Sequence, residues 1–198
     1  MTYVWNAAQA RYRDVATGRF VSRSTVLSYL RESMDASSNE MKLLGGQAAT
    51  GKLSAKDFGI LMRREVQDEF IRQYMAGRGG LGSMDQADWG RVGRMLRDQY
   101  AYLKGFEADL SNLSEAQAIQ RANLYAQAAG AAFHTGERVA MREAGKAEEL
   151  WVLGDAEHCD DCERLSNLGW VPLGELPTVP RAGSTACLVN CECSIKYR

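Results

Sequence analysis

The sequence predicts a mainly α-helical protein, in which an N-terminal bundle of amphipathic helices or helical hairpins precedes a small C-terminal cysteine-rich module with two short β-strands. Apolar residues recur at spacings of three and four in four segments between residues 22 and 145. All 3 prolines and all 5 cysteines lie beyond residue 158, so the composition changes near residue 147. With 198 residues, 45% of them hydrophobic, the chain is long enough to bury a core.

The formal net charge of −1 conceals opposite charges at the two ends of the chain. Residues 1–31 hold five arginines against one aspartate, whereas residues 147–198 hold nine carboxylates against four basic side chains. We therefore divide the chain into a basic N-terminal arm or hairpin (1–23), a helical domain (24–146) and a cysteine-rich module (147–198). The sequence shows no apolar run of about 18 residues and no secretory leader, which predicts synthesis in the cytoplasm and no membrane partner.

Turn and capping residues set the expected limits of the first two elements. β-Branched and aromatic residues on either side of Thr17-Gly18 predict a small hairpin or hook over residues 11–21. Ser22 or Ser24 can cap a first helix, which we expect to stop at Gly45-Gly46 because glycine commonly follows a helix end.

Three further helices follow from the same signals of capping and periodicity. They are expected from Ser54 to Gly77, from Ser83 or Asp85 to about Leu110, and from Ser114 through an alanine-rich stretch to about Ala144. The small side chains of the last segment permit tight helix packing. After Gly145 the pattern changes, and residues 150–153 and 193–197 are expected to form two short strands that pair.

The cysteines carry the clearest chemistry in the sequence. Cys159-Asp-Asp-Cys162 is followed by the segment Cys187-Leu-Val-Asn-Cys191-Glu-Cys193. Thiolates at such spacings on turns can converge on one tetrahedral Zn²⁺ and form a closed, zinc-knuckle-like structural site. All five cysteines are candidate metal ligands. A tetrahedral ion takes four, so one of Cys187, Cys191 and Cys193 is expected to be spare. Disulfides formed in an extracellular particle and uncrosslinked thiols are the alternatives.

Little in the sequence points to catalysis. His134 and His158 are the only histidines; both are expected in solvent or at the edge of the core, and no catalytic spacing of Ser, His and Asp or of Cys and His is visible. The carboxylates around Cys159 and Cys162 are expected to raise thiol pKa values, which disfavours a reactive thiolate. We assign no catalytic residue and predict that the protein is not an enzyme.

The basic N-terminal segment interleaves arginines with aromatic residues. This is the composition of a nucleic-acid or protein contact, in which guanidinium groups meet phosphates or carboxylates and aromatic rings stack or anchor. The candidate contact residues are Arg11, Tyr12, Arg13, Arg19, Phe20 and Arg23. The alternative is that the rings insert into the helical bundle while the arginines are merely solvated.

The cysteine-rich region resembles the phage head morphogenesis family, the Mu F-like minor capsid proteins. The resemblance covers about residues 120–198 and rests on Trp151-Val-Leu-Gly-Asp155, the Cys159/Cys162 pair, the loop with Pro177 and Pro180, and Cys191-Glu-Cys193 near the end of the sequence. The family usually ends in a Pro-x-His-x-x-Cys-x-Cys pattern. Here no histidine precedes Cys191, and Cys187 stands in its place.

This resemblance implies a non-enzymatic virion component that is made in the host bacterial cytoplasm. Its expected partners are the portal protein, the major capsid protein and packaged double-stranded DNA, at the portal vertex or in the capsid interior, in multiple copies per virion. A zinc-module DNA-binding or regulatory protein is one alternative, which the −5 charge of the module disfavours. A thiol oxidoreductase or toxin-like enzyme is the other.

Overall fold

The computed structural model describes residues 3–6, 9 and 11–198 and is mainly helical, as predicted. A first sheet comprises β1 (Tyr3–Asn6), β2 (Arg11–Asp14) and β3 (Phe20–Val21). The bundle comprises α1 (Arg23–Ala49), α2 (Ala55–Arg78), α3 (Gln86–Asp109), α4 (Glu115–Ala128) and α5 (Gly130–Glu143). The C-terminal module comprises β4 (Glu148–Val152), α6 (Asp160–Ser166), β5 (Val171–Pro172) and β6 (Ser194–Tyr197). None of the helices in the described part of the chain is long and apolar enough to span a membrane.

The predicted helix starts are confirmed by the side-chain caps. Ser22, Ser54, Asp85 and Ser114 each accept a hydrogen bond from the backbone N–H three residues on, which satisfies one of the free donors of the first turn. The predicted end of the first helix is wrong, because α1 runs through Gly45 to Ala49. A Cβ at Gly45 would be 2.8 Å from the carbonyl oxygen of Ala118, so this glycine serves close packing of α1 on α4.

The alanine-rich segment forms two helices, α4 and α5, where the sequence predicts one. At Ala129 the backbone N–H bonds to the carbonyl of Ala126 (3.2 Å), three residues back, which interrupts the α-helical ladder. On either side of this break the helices have different neighbours, since α4 packs on α1 and α5 packs on α2. The side chain of Arg181, from the C-terminal module, lies against Gly130 directly after the break, where a Cβ would overlap it.

Helix α2 runs through the centre of the bundle. Its periodic apolar side chains are almost fully buried and form the main core with residues of α1, α3 and α4; they are Phe58, Met62, Val66, Phe70 and Tyr74. Polar contacts fix α1 antiparallel to α2, since Ser37 donates to Glu69 (2.9 Å) and Gln73 donates to the carbonyl of Leu30 (3.1 Å).

The N-terminal strands form one antiparallel sheet, in the order β1-β2-β3, that is docked on the bundle. The predicted hairpin is present as β2 and β3, and β1 adds a strand that the sequence analysis did not predict. The N–H of Trp5 donates to the carbonyl of Gly79 (2.9 Å) at the end of α2. Tyr12 is buried against α1, α2 and α5 and belongs to the cluster with Val26 and Phe133.

The C-terminal module contains the predicted strand pair and two elements that were not predicted. β4 lies between β5 and β6, with Trp151 opposite Ile195, and α6 packs on β4. Its hydrophobic core consists of eight buried residues of the module, three of them cysteines, together with Ala131 of α5. Such a small core buries little apolar surface.

A buried carboxylate joins the module to the bundle. Glu149 on β4 is fully buried and accepts the N–H groups of Gly174 and Leu176, both at 3.0 Å. Its Oε2 lies 2.8 Å from Nε of Arg138 on α5, an ion pair without linear hydrogen-bond geometry, and Arg138 Nη2 donates to the carbonyl of Thr178 (3.1 Å). Arg138 therefore binds two segments of the module at once.

Two helix glycines differ in the space around them, so substitution by alanine is expected to have opposite effects on stability at the two positions. A Cβ at Gly136 would be 2.5 Å from the carbonyl oxygen of Tyr74, so Gly136→Ala should lower the free energy of unfolding by about 1 to 3 kcal/mol. A Cβ at Gly93 on α3 meets no atom within 4 Å, so Gly93→Ala should raise it by about 0.5 to 1 kcal/mol. Urea denaturation measures both, and a stabilised Gly136→Ala variant would contradict the packing.

Removing the arginine of the buried ion pair is expected to be costly. Arg138→Met leaves Glu149 charged and buried without its cation, and should lower the free energy of unfolding by about 3 kcal/mol. Adding Glu149→Gln should recover part of this loss. The control is Arg97→Met. Nε of Arg97 lies 3.6 Å from Oδ1 of Asp98 and both side chains are mostly exposed, so little change in the free energy of unfolding is expected. Equal losses in Arg138→Met and Arg97→Met would exclude a structural role for the buried pair.

Candidate metal centre

The five cysteines are brought together by two turns of the C-terminal module. Cys159 directly precedes α6 and Cys162 lies in its first turn. Cys187 and Cys191 flank a short 3-10 helix, Leu188–Asn190, and Cys193 directly precedes β6. Because β6 pairs with β4 and α6 packs on β4, the two cysteine segments lie close together beside β4.

The thiols form two groups that share one sulfur. Cys159, Cys162 and Cys187 have their Sγ atoms within 4.8 Å of one another, and so do Cys162, Cys191 and Cys193. The Sγ of Cys162 is 3.6 Å from that of Cys187 and 3.7 Å from that of Cys191, and all five thiols are free. A disulfide would require about 2.05 Å. Four sulfurs around a tetrahedral ion at about 2.3 Å lie about 3.8 Å apart, so the cluster could hold a metal ion.

Burial and hydrogen bonding act differently on the individual thiols. Burial is the main cause that raises the pKa values of Cys162, Cys187 and Cys191. The pKa of Cys159 is instead lowered to about 7, mainly because the backbone N–H of Cys162 stabilises its thiolate. The expectation that neighbouring carboxylates raise the thiol pKa values therefore fails at Cys159, where the backbone N–H groups of Cys162 and Cys187 stabilise the thiolate.

The surrounding polar groups hold the two cysteine segments against each other. Asp161, in the first turn of α6, accepts the N–H of Ala186 (3.0 Å), and the Oγ1 of Thr185 is 3.2 Å from the Sγ of Cys187. His158 faces the carbonyl of Gly154 (3.2 Å), and neither of the groups that could hold a metal in the described residues includes a histidine. Asp161 thus has a role in positioning Cys187 that the sequence analysis missed.

The N-terminal candidate contact residues divide into buried and exposed sets. Tyr12 is buried in the bundle, and Arg23 makes two hydrogen bonds of 2.7 Å to Glu137. Tyr12 therefore lies in the bundle, as the alternative of an inserted ring expects, and Arg23, whose side chain is 37% exposed, is paired with a buried carboxylate. The exposed residues are Arg11, Arg13, Arg19 and Phe20, of which Arg13 donates to the carbonyl of Gly18 (2.8 Å) and Arg11 lies over the Phe20 ring.

Comparisons with known proteins identify no relative of this chain. No protein-family model matches it, and no curated protein and no solved structure is significantly similar to it.

The shared sulfur predicts an order among cysteine variants. Cys162→Ser removes a donor from both groups, so it should abolish metal binding and lower the melting temperature most. Single serine variants of Cys187, Cys191 and Cys193 should include one that keeps the metal, since four thiolates suffice. Metal content by mass spectrometry and thermal unfolding measure this order. A Cys162→Ser variant that retains metal and stability as well as any other would contradict it.

Proposed function

We propose that this protein is a minor capsid or head morphogenesis protein of a tailed bacteriophage, of the Mu F-like kind, and that it acts by binding. Its helical body would dock on portal and major capsid subunits at the portal vertex or in the capsid interior. Its C-terminal module would be held together by one structural zinc ion. In this proposal the chain assembles structure and carries out no reaction.

The position of Cys187 is the observation that carries the proposal. In the family pattern a histidine lies three residues before the final Cys-x-Cys; that position is Leu188 here, and Cys187, one residue earlier, offers a thiol in its stead. The Sγ of Cys187 lies 3.6 Å from that of Cys162, as a replacement ligand should. Both ends of the pattern, Cys159-x-x-Cys162 and Cys191-x-Cys193, contribute thiols to the same cluster. The residues that carry the family resemblance are therefore also the ones that share a site.

The chemistry of the donors supports zinc as the metal. Thiolate ligands favour zinc, copper(I) or iron–sulfur clusters over magnesium or calcium, and closed sets of four cysteines are typical of structural zinc. The module has a small hydrophobic core, in which three of its eight clustered residues are cysteines. A bound ion would supply cross-links between α6 and the segment before β6. The residues that would hold it are Cys159, Cys162 and two of the last three cysteines.

The exposed part of the N-terminal arm supports a charged partner. Arg11, Arg13 and Arg19 lie on the surface with Phe20, while Arg23 is held by Glu137. We infer that this smaller set would meet packaged DNA or an acidic subunit surface, with a strength that falls as salt increases.

The metal proposal is tested on the purified full chain. Elemental analysis should find about one zinc per chain. Removal of the metal by a chelator should lower the melting temperature, because metal binding is coupled to folding of the module. A metal-free protein with intramolecular disulfides would overturn the zinc assignment. The Cys159→Ala/Cys162→Ala double variant separates a structural site from an enzyme: lost metal and lost folding support the structural site, and intact folding with lost turnover would contradict it.

The assembly proposal needs a separate test. The chain is co-expressed with the portal protein of the phage genome that encodes it, and the complex is isolated by sedimentation. Co-sedimentation at a fixed stoichiometry is expected, and it should persist in Arg11→Gln/Arg19→Gln if those arginines serve DNA alone. Failure to associate with portal or procapsid, in protein that carries its metal, would overturn the virion role.

A further inference from the structure

The thiol cluster contains one more cysteine than a single tetrahedral ion can use. In a closed site of four thiolates every sulfur lies about 3.8 Å from the other three. In the part of the chain that the structure describes, the largest sets of sulfurs that all lie within 4.8 Å of one another have three members. These sets are Cys159, Cys162 and Cys187, and Cys162, Cys191 and Cys193. One ion bound by four thiols must therefore draw at least one sulfur closer, and it leaves the fifth thiol unused.

Cys162 belongs to both sets, in a position where one thiolate can bind two ions. Its Sγ is 3.6 Å from that of Cys187 in the first set and 3.7 Å from that of Cys191 in the second. Both distances suit sulfurs that bind the same ion. A thiolate sulfur has more than one lone pair to donate, so Cys162 can bridge two ions while each of the other four thiolates binds one.

Each set of three sulfurs leaves one coordination position of a tetrahedral ion open, and water has access to both. Cys159 and Cys187 are partly exposed, so solvent reaches the first set. The second set is buried, but Cys191 and Cys193 line a cavity of about 410 Å³ between α1, α5 and the C-terminal module. Three protein ligands and one water complete a four-coordinate zinc site. Neither ion would therefore lack a fourth ligand.

The charge around the cluster favours a second divalent cation. Four thiolates around one Zn²⁺ leave two negative charges uncompensated, whereas five thiolates around two Zn²⁺ leave one. Asp160, Asp161 and Glu163 lie in the first turn of α6, beside Cys162, so the cluster is in an acidic part of the chain. Because like charges repel at close range, the second ion lowers the repulsion between the thiolates and these carboxylates.

We propose that the fully loaded cluster binds two zinc ions, with the Cys162 thiolate as the ligand that bridges them. Cys159 and Cys187 are the other protein ligands of one ion, and Cys191 and Cys193 are those of the other. This inference rests on the proposed structural zinc and adds a second ion, whose binding releases the proton of the fifth thiol. The second ion binds more weakly because it shares a sulfur with the first. About one zinc per chain is therefore expected on isolation, and about two when zinc is in excess.

The first experiment counts zinc ions on the full chain by native mass spectrometry during a zinc titration. The wild-type chain should pass through a species with one ion and saturate at two. Cys193→Ser removes a ligand of the second ion and leaves four thiols, so it should saturate at one. The matched control is Asp160→Asn/Glu163→Gln, which neutralises two exposed carboxylates beside the cluster and should still saturate at two.

The possible counts separate the two metal proposals. Saturation of the wild-type chain at one zinc would overturn the second ion and leave the structural zinc supported. A chain that binds no zinc would overturn both. If the second ion is lost in the carboxylate control and kept in Cys193→Ser, it occupies an adventitious surface site, and the bridged pair is excluded.

NMR of the cadmium-loaded chain tests the bridge without any substitution. Cadmium(II) has the charge of Zn²⁺ and binds thiolates more strongly, so it should replace zinc in the folded protein. Two cadmium resonances that show scalar coupling to each other are expected, because such coupling is transmitted through the bonds to a shared sulfur. Two uncoupled resonances, or a single resonance, would overturn the bridging role of Cys162. This measurement decides the question even if Cys193→Ser fails to fold.

Discussion

The close approach of α5 to α2 is the constraint on which the rest of the structure depends. Gly136 lies against the backbone of Tyr74, and Gly77 lies against that of Phe133, so the two helices meet backbone to backbone. On its other side α5 carries Arg138, which pairs with Glu149 of the cysteine-rich module. The packing of one pair of helices therefore positions the module. With it come the thiol cluster and one wall of the groove between α3, α4 and residues 179–189.

Buried carboxylates, each with its own cation, fix the arrangement of the elements. Arg72 and Ser37 contact Glu69, Arg78 contacts Asp88, Arg23 contacts Glu137, and Arg138 contacts Glu149. Each of these acids is almost fully buried. Asp88, Glu137 and Glu149 pair with an arginine of another element, so a shift of that element would weaken the compensation of a buried charge. The same logic explains the N-terminal arm. Arg23 holds the start of α1 to α5 through Glu137.

The thiols of the cysteine-rich module combine a role in its core with the geometry of a candidate metal site. Its thiols are part of its small core, and the same thiols lie at distances that suit a metal ion. Leu188 and Val189, which line the groove, lie between Cys187 and Cys191. A cross-link between these cysteines and α6 would therefore stiffen the groove as well as the module, because the chain between two fixed sulfurs has few free torsions.

The sequence by itself determined the helical class, the four capped helix starts, the strand pair at β4 and β6, and the set of cysteines, because capping, periodicity and spacing are local properties of the chain. It did not determine that Gly45 lies inside α1 or that the chain breaks at Ala129, since both follow from neighbours distant in sequence. Tyr12 and Arg23 show the same limit: an arginine and a ring near a chain terminus look exposed until a partner such as Glu137 is placed beside them. Only the tertiary structure decided that Cys162 is the sulfur shared by the two thiol groups. Convergence of side chains from separate elements depends on packing, which no local pattern encodes.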